Sequence, residues 1–250
     1  MDDIGVTEQK EEGRSENSPP KESKHYVKNT VIHVHQELLK YVMVGLGIRN
    51  MMKILTAFML NNELFANNAL IFFTDGADDI KNAIKDIFIW RPYRIILDWY
   101  HLRKKCKERL SMAMKGREIR NKVLKELLSL LWLGELDAAV GFLRSLDGSK
   151  VRKKEEIELL IAYFQRNWSY IPCYALRKKL GLRVSSNRGE KANDLVVAKR
   201  QKHNGMSWSK PGSSGLANVT ALFLNKEEEN WITRRELEFK LMSSSEKKAS

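Results

Sequence analysis

Only two cysteines occur among the 250 residues, Cys106 and Cys173, far apart in the chain. They leave no material for a disulfide framework, and with five scattered histidines they make no zinc ribbon. Long hydrophobic runs are missing too. No stretch approaches the roughly 18 apolar residues that a membrane helix needs, and the opening MDDIGVTEQKEE is too polar and acidic for a signal peptide. The expectation is a cytoplasmic protein with no membrane partner. No Walker phosphate loop, G-x-G-x-x-G, H-E-x-x-H or G-x-S-x-G occurs, which argues against nucleotide-dependent enzymes, zincins and serine hydrolases. Acidic charge is in deficit: 44 Lys and Arg face 31 Asp and Glu, for a net charge of +13. Such an excess points to a polyanionic partner.

What is present centres on residues 69–101, ALIFFTDGADDIKNAIKDIFIWRPYRIILDWYH. An apolar run over 69–73 has the composition of a strand buried on both faces and breaks at Asp75-Gly76. Ile80, Ala83, Ile84, Ile87 and Phe88 then repeat at helical spacing, with lysines and aspartates on the opposite face. Residues 93–97 read as a second buried strand ending on Asp98. The result is a β-α-β unit with an acid at the carboxyl end of each strand, the edge where α/β sheets bind ligands.

Before this unit, residues 4–7 read as a short strand, followed by a polar linker without apolar periodicity. Residues 26–34 and 41–46 are β-rich and are expected to pair as a hairpin around 35–40. Ile48, Met51, Met52, Leu55, Phe58 and Met59 predict a helix. Beyond His101 the chain becomes basic and helical. Leu124, Leu127, Leu128 and Leu131 form one stripe and Ile157, Leu160, Ile161 and Phe164 another, as in a small bundle. Glu190 opens a further helix, residues 205–215 read as a loop, 216–224 as a last helix, and the end of the chain as a mobile tail.

The carboxylates Asp2 or Asp3, Asp75, Asp98 and Glu190 each have a structural reading. Asp75-Gly76 is a turn signature. Asp98 can N-cap the helix from Trp99, and Glu190 stands three residues after Asn187, the spacing of a capping box. His101, one turn into a basic helix, reads alone as structural or surface. The clusters Arg103-Lys104-Lys105, Arg152-Lys153-Lys154 and Arg177-Lys178-Lys179 read alone as solvated helix faces. Together the acids fit one chemistry. Two-metal phosphodiester cleavage needs carboxylates converging on Mg²⁺ ions roughly 3.5 to 4 Å apart, because Mg²⁺ prefers hard oxygen ligands. Basic helices would neutralise the DNA backbone.

The segments FFTDGADDIKNAI, ILDWYHLRKKC and SSNRGEKANDLVVAKRQKHNGMSWS, in that order, resemble bacterial insertion-sequence transposases of the ISLre type, in the DDE superfamily. The resemblance runs from Asp2 to about Phe223. It implies an α/β, ribonuclease H-like fold: a mixed five-stranded sheet with flanking helices, the Asp2 strand beside the Asp75 strand, and an all-helical insertion. It also implies Asp2 (or Asp3), Asp75 and Glu190 as catalytic acids and ligands of Mg²⁺ or Mn²⁺. Asp98, His101 and Asn193 would support them, the first two in a (C/D)-x-x-H motif. DNA would meet Arg103, Lys104, Lys105, Arg177, Lys178, Lys179, Lys199, Arg200, Lys202 and Trp208, the last read either as a core anchor or as stacking on a flipped or unpaired base near the cleaved end. The expected organisation is a first strand and linker (1–24), core (25–101), helical insertion (102–182), catalytic return (183–225) and flexible tail (226–250). Because only Met1 precedes Asp2, the chain is expected to be an N-terminally truncated, inactive copy that would form a homo-oligomer only when complete. The alternative is a non-catalytic nucleic-acid-binding remnant. A phosphohydrolase using Asp75 as nucleophile is disfavoured, since no second Asp stands two residues later.

Overall fold

The computed structural model describes residues 2–9, 26–66, 68–186, 194–202 and 206–243, and all side chains among them except those of Asp2, Asp3 and Ser243. It is mixed α/β and divides into two compact units. The first comprises Met1–Ala69, Asn82–Pro92 and Asn187–Ser250, the second Leu70–Lys81 and Tyr93–Ser186. Among the described residues, no helix is long and apolar enough to cross a membrane.

The first unit is built on strands β1 (Asp2–Thr7), β2 (Tyr26–Gln36) and β3 (Leu39–Leu46). They pair antiparallel, Val31 opposite Val44 and Ile32 opposite Met43. Side chains alternate across such a sheet, so the two sets of β3 residues meet different partners. Val42 and Val44 share a core with Ile4, Val6, Val31, Ala217 and Ala221, the last two on the long C-terminal helix. Tyr41 packs against Phe58 of helix α1 (Ile48–Asn61), with ring centroids 4.6 Å apart and ring planes tilted by 35°. The α1 stripe is buried as its periodicity predicts, at Met51, Met52, Leu55, Phe58 and Met59.

In the second unit, β4 (Leu70–Thr74) and β5 (Tyr93–Leu97) pair in parallel, Thr74 opposite Leu97. Helix α2 (Asp78–Ile87) lies between them in sequence, its residues from Asn82 onward belonging to the first unit; Ile80, Ala83, Ile84 and the following Phe88 are buried. Helices α3 (Trp99–Ala113), α4 (Arg117–Leu133), α5 (Leu136–Arg144), α6 (Lys154–Arg166) and α7 (Tyr174–Lys179) follow. Their core, including Leu102, Leu110, Leu127, Leu131, Leu160 and Phe164, is continuous with Ile96 and Leu97 of β5. The helical segment expected at 102–182 therefore shares one hydrophobic core with the strand pair.

Several expectations are corrected. Instead of one five-stranded mixed sheet, the hydrogen bonds among the described residues make a sheet ordered β1-β2-β3-β6, with β6 spanning Met242–Ser243, and a β4-β5 pair. All six residues of β1 pair with β2, from Asp2 opposite Val31 to Thr7 opposite Tyr26. The hairpin turn is tighter than expected, because pairing continues to Gln36 opposite Leu39. The stretch read as a loop contains the start of helix α8 (Lys210–Asn225). Ser209 caps it by accepting from the Gly212 amide, and proline at the second helical position suits a helix start.

The stretch expected to be a tail carries helix α9 (Glu228–Arg234) and strand β6 (Met242–Ser243). Glu227 is buried and accepts hydrogen bonds from the Tyr41 hydroxyl and the Phe239 amide. The Phe239 ring meets Phe58 edge-on at 4.9 Å. These partners lie far away in sequence, which is why no local pattern announces them.

Candidate active site at the carboxyl edge of strands β4 and β5

The site is built by the two strand ends. β4 stops at Asp75-Gly76 because Gly76 adopts φ +92°, and a β-carbon there would lie 2.9 Å from Leu97 Cδ1. No other residue fits that turn without strain. Asp75 is half-buried and its Oδ1 accepts the Ala77 amide at 2.9 Å, an Asx turn that holds the carboxylate and leaves Oδ2 outside this bond.

α6 braces the same turn. The Tyr163 hydroxyl donates to the Asp75 carbonyl at 3.5 Å, and Asn167 Oδ1 accepts from Lys81 Nζ at 2.9 Å. Lys81, expected on the solvated face of α2, is buried instead. Asp78 Oδ1 is 2.7 Å from its Nζ, and the Tyr170 ring centroid 5.3 Å. A buried ammonium is tolerated because these partners replace its water. Burial, and then the charges around it including Asp75 and Asp98, push the Tyr163 phenol above its usual range.

Asp98 is fully buried and spends both oxygens on backbone amides. Oδ1 accepts from Tyr100 N at 2.8 Å and from His101 N at 3.3 Å, capping α3. Oδ2 accepts from Ser186 N in a short bond. Trp99 N also donates to the Val184 carbonyl, and Asp98 N to the Thr74 carbonyl. One carboxylate thus joins the end of β5, the start of α3 and the chain four residues ahead of Glu190 in sequence. The N-cap role read from the sequence is observed. His101 is half-buried one turn into α3, its ring 5.6 Å from that of Tyr100.

Asp75, Asp98 and His101 therefore belong to one strand edge. The side chain of Asp2, and Glu190 and Asn193 altogether, lie outside the described residues. Among those described, no group of three His, Cys, Asp or Glu could hold a metal ion. Asp75 presents a carboxylate, a hard oxygen donor, held on its turn by the Ala77 amide. Of the basic clusters, Arg103, Lys104, Lys178, Lys179, Lys199, Arg200 and Lys202 are exposed and Lys105 is half-buried.

Arg177 differs from this exposed set: it is buried, donates from Nε to the Arg183 carbonyl at 2.8 Å and lies over the Phe73 ring. Burial also lowers its pKa. Sequence reasoning missed Lys81, Tyr163, Asn167 and Ser186. Only Tyr163, beside the apolar stripe of α6, carried any signal.

A family model described as an uncharacterised protein family, UPF0236, matches residues 36–238. No curated protein and no solved structure matches the chain.

Proposed function

We propose, for a chain that belongs to the UPF0236 family, metal-dependent cleavage and strand transfer of insertion-sequence DNA ends, as in DDE-type transposases. The observation that carries this reading is Asp75. Its carboxylate stands just past the end of β4 on a turn that only glycine can complete, beside a parallel strand pair. The chain running on to Glu190 is tied at Ser186 to the end of the neighbouring strand. Element order supports a ribonuclease H-like core: three antiparallel strands, a helix, then a parallel strand-helix-strand unit. That reading rests on order and strand-end acids, not on a continuous sheet.

Mg²⁺ or Mn²⁺, held by Asp2, Asp75 and Glu190, would supply the charge that activates the attacking water or hydroxyl. Asp75 would hold one side of that ion while the Asx turn, Tyr163 and the Lys81–Asn167 pair keep its backbone still. Exposed lysines and arginines on α3 and α7 would neutralise backbone phosphates. The net charge of +13 supports a DNA partner.

The test is nicking of a DNA duplex carrying the element's terminal repeat. Mn²⁺-dependent nicking that disappears in Asp75→Asn, with DNA affinity retained, is the expected result. A second reading, a non-catalytic nucleic-acid-binding remnant, draws on the same charge. It predicts salt-dependent binding with no nicking from either protein, and that outcome would replace the first reading.

A further inference from the structure

The first unit holds a cleft that the strand-edge site does not use. It has a volume of about 520 Å³ and lies between α8 and a π-helical turn, Asp194–Ala198, that continues into a one-turn helix, Lys199–Gln201. That volume suits a small ligand, and π turns concentrate at functional sites. Leu195, Leu216, Leu224 and Trp208 give it apolar walls, and Lys199 and Arg200, both exposed, stand on its lining. No carboxylate is among the described residues that line it.

The walls are built, not loose. Trp208 donates its amide to the Thr7 carbonyl at 2.9 Å and accepts from Gln9 N at 3.0 Å, so its backbone is pinned to the end of β1. Buried Gln201 donates to the Ser213 carbonyl at 3.0 Å and accepts from the Ser213 hydroxyl at 2.6 Å. Asn29 of β2 donates to that hydroxyl at 2.7 Å. This buried network locks the one-turn helix and α8 to the sheet. Val196 and Val197 anchor the π turn in the core.

We propose that this cleft takes a single unpaired nucleotide of DNA, its base among the leucines against Trp208 and its phosphates on Lys199 and Arg200. The inference rests on the DNA partner proposed above and assigns the cleft a role distinct from cleavage. A base needs flat carbon surface, and the buried Nε1 edge of Trp208 leaves carbon as what the indole offers. Recognition is therefore stacking, tolerant of base identity. A paired base has both faces covered by its neighbours and cannot enter.

The experiment measures binding of the full chain to an oligothymidylate of about ten nucleotides and to a blunt duplex of equal length at low salt. Trp208→Ala is expected to weaken oligothymidylate binding roughly 5- to 150-fold and leave duplex binding unchanged. Thr220→Phe, which fills the cleft from α8 and keeps Trp208, guards against a folding artefact. With an unaltered thermal midpoint it should show the same selective loss. Replacing Lys199 and Arg200 by glutamine should flatten the salt dependence of oligothymidylate binding by about 1.4 in the log–log slope. A folded Thr220→Phe protein with wild-type affinity for the oligothymidylate overturns the cleft alone. A wild-type chain that binds duplex but not oligothymidylate does the same. If it binds neither, both the cleft and the DNA function fall.

Discussion

Asp98 shows how one buried carboxylate can organise a strand edge. Capping a helix is worth about 1 kcal/mol, and an orphaned buried amide costs about 1 to 3 kcal/mol. Asp98→Ala removes both contributions and should lower stability by about 2 to 4 kcal/mol. Asp98→Asn keeps a good cap but offers Ser186 only one acceptor oxygen, already used by α3. It should cost less than alanine, while amide exchange at Ser186 accelerates in both variants. Urea unfolding with residue-resolved exchange would measure this, and a Ser186 amide still protected in Asp98→Ala would refute the clamp. The capping role of Asp98 and the turn at Asp75-Gly76 were legible in the sequence, because both depend on neighbours within three residues. The burial of Lys81 and Arg177 was not. Each depends on partners brought in by folding, Asn167 for the lysine and the Phe73 ring for the arginine.

At the level of elements, helices and strands follow their periodicities, and the surprises lie where one element completes another. Asn225, the last residue of α8, is buried and serves as a substitute strand for β3. Its Oδ1 accepts from Val42 N at 2.9 Å and its Nδ2 donates to the Val42 carbonyl at 2.8 Å. The primary amide reproduces the donor and acceptor of a neighbouring peptide. Asn225→Ala should leave both groups unsatisfied and cost about 2 to 4 kcal/mol in denaturant unfolding. Asn225→Asp keeps only the acceptor and should fall between the two proteins. Equal stability of all three would show that β3 needs no such partner. Nothing in the sequence marks this asparagine, since its partner is 183 residues away.

Over the whole molecule, three tyrosines from both units share one electrostatic fate. Burial first, aided by nearby carboxylates, raises the phenol pKa of Tyr41, Tyr163 and Tyr174 above the ordinary 10.0. The folded chain then holds these protons more tightly than the unfolded one. Their contribution is fully present below pH about 10 and is lost as pH rises beyond it. The thermal midpoint should therefore fall as pH rises above about 10, the unfolded value. Phenylalanine at Tyr163, whose hydrogen bond to Asp75 is long, should flatten that fall. A midpoint independent of pH in this window would contradict the burial of these phenols. Tyr174 also donates to the Leu97 carbonyl at 2.7 Å, binding α7 to the end of β5.

The sequence by itself determined the β-α-β unit, helix α1, the β2-β3 hairpin and the bundle stripes, because hydrophobic period and turn chemistry are local properties of the chain. It also determined that Asp75 and Asp98 end neighbouring strands. Tertiary structure alone decided how the strands divide between sheets, which charges leave water, and what holds the C-terminal segment in place. Those outcomes depend on which distant side chain reaches an unsatisfied group first, as Asn225 reaches Val42 and Glu227 reaches Tyr41. Pairings between residues more than 180 positions apart leave no periodic trace, so only the folded chain reveals them.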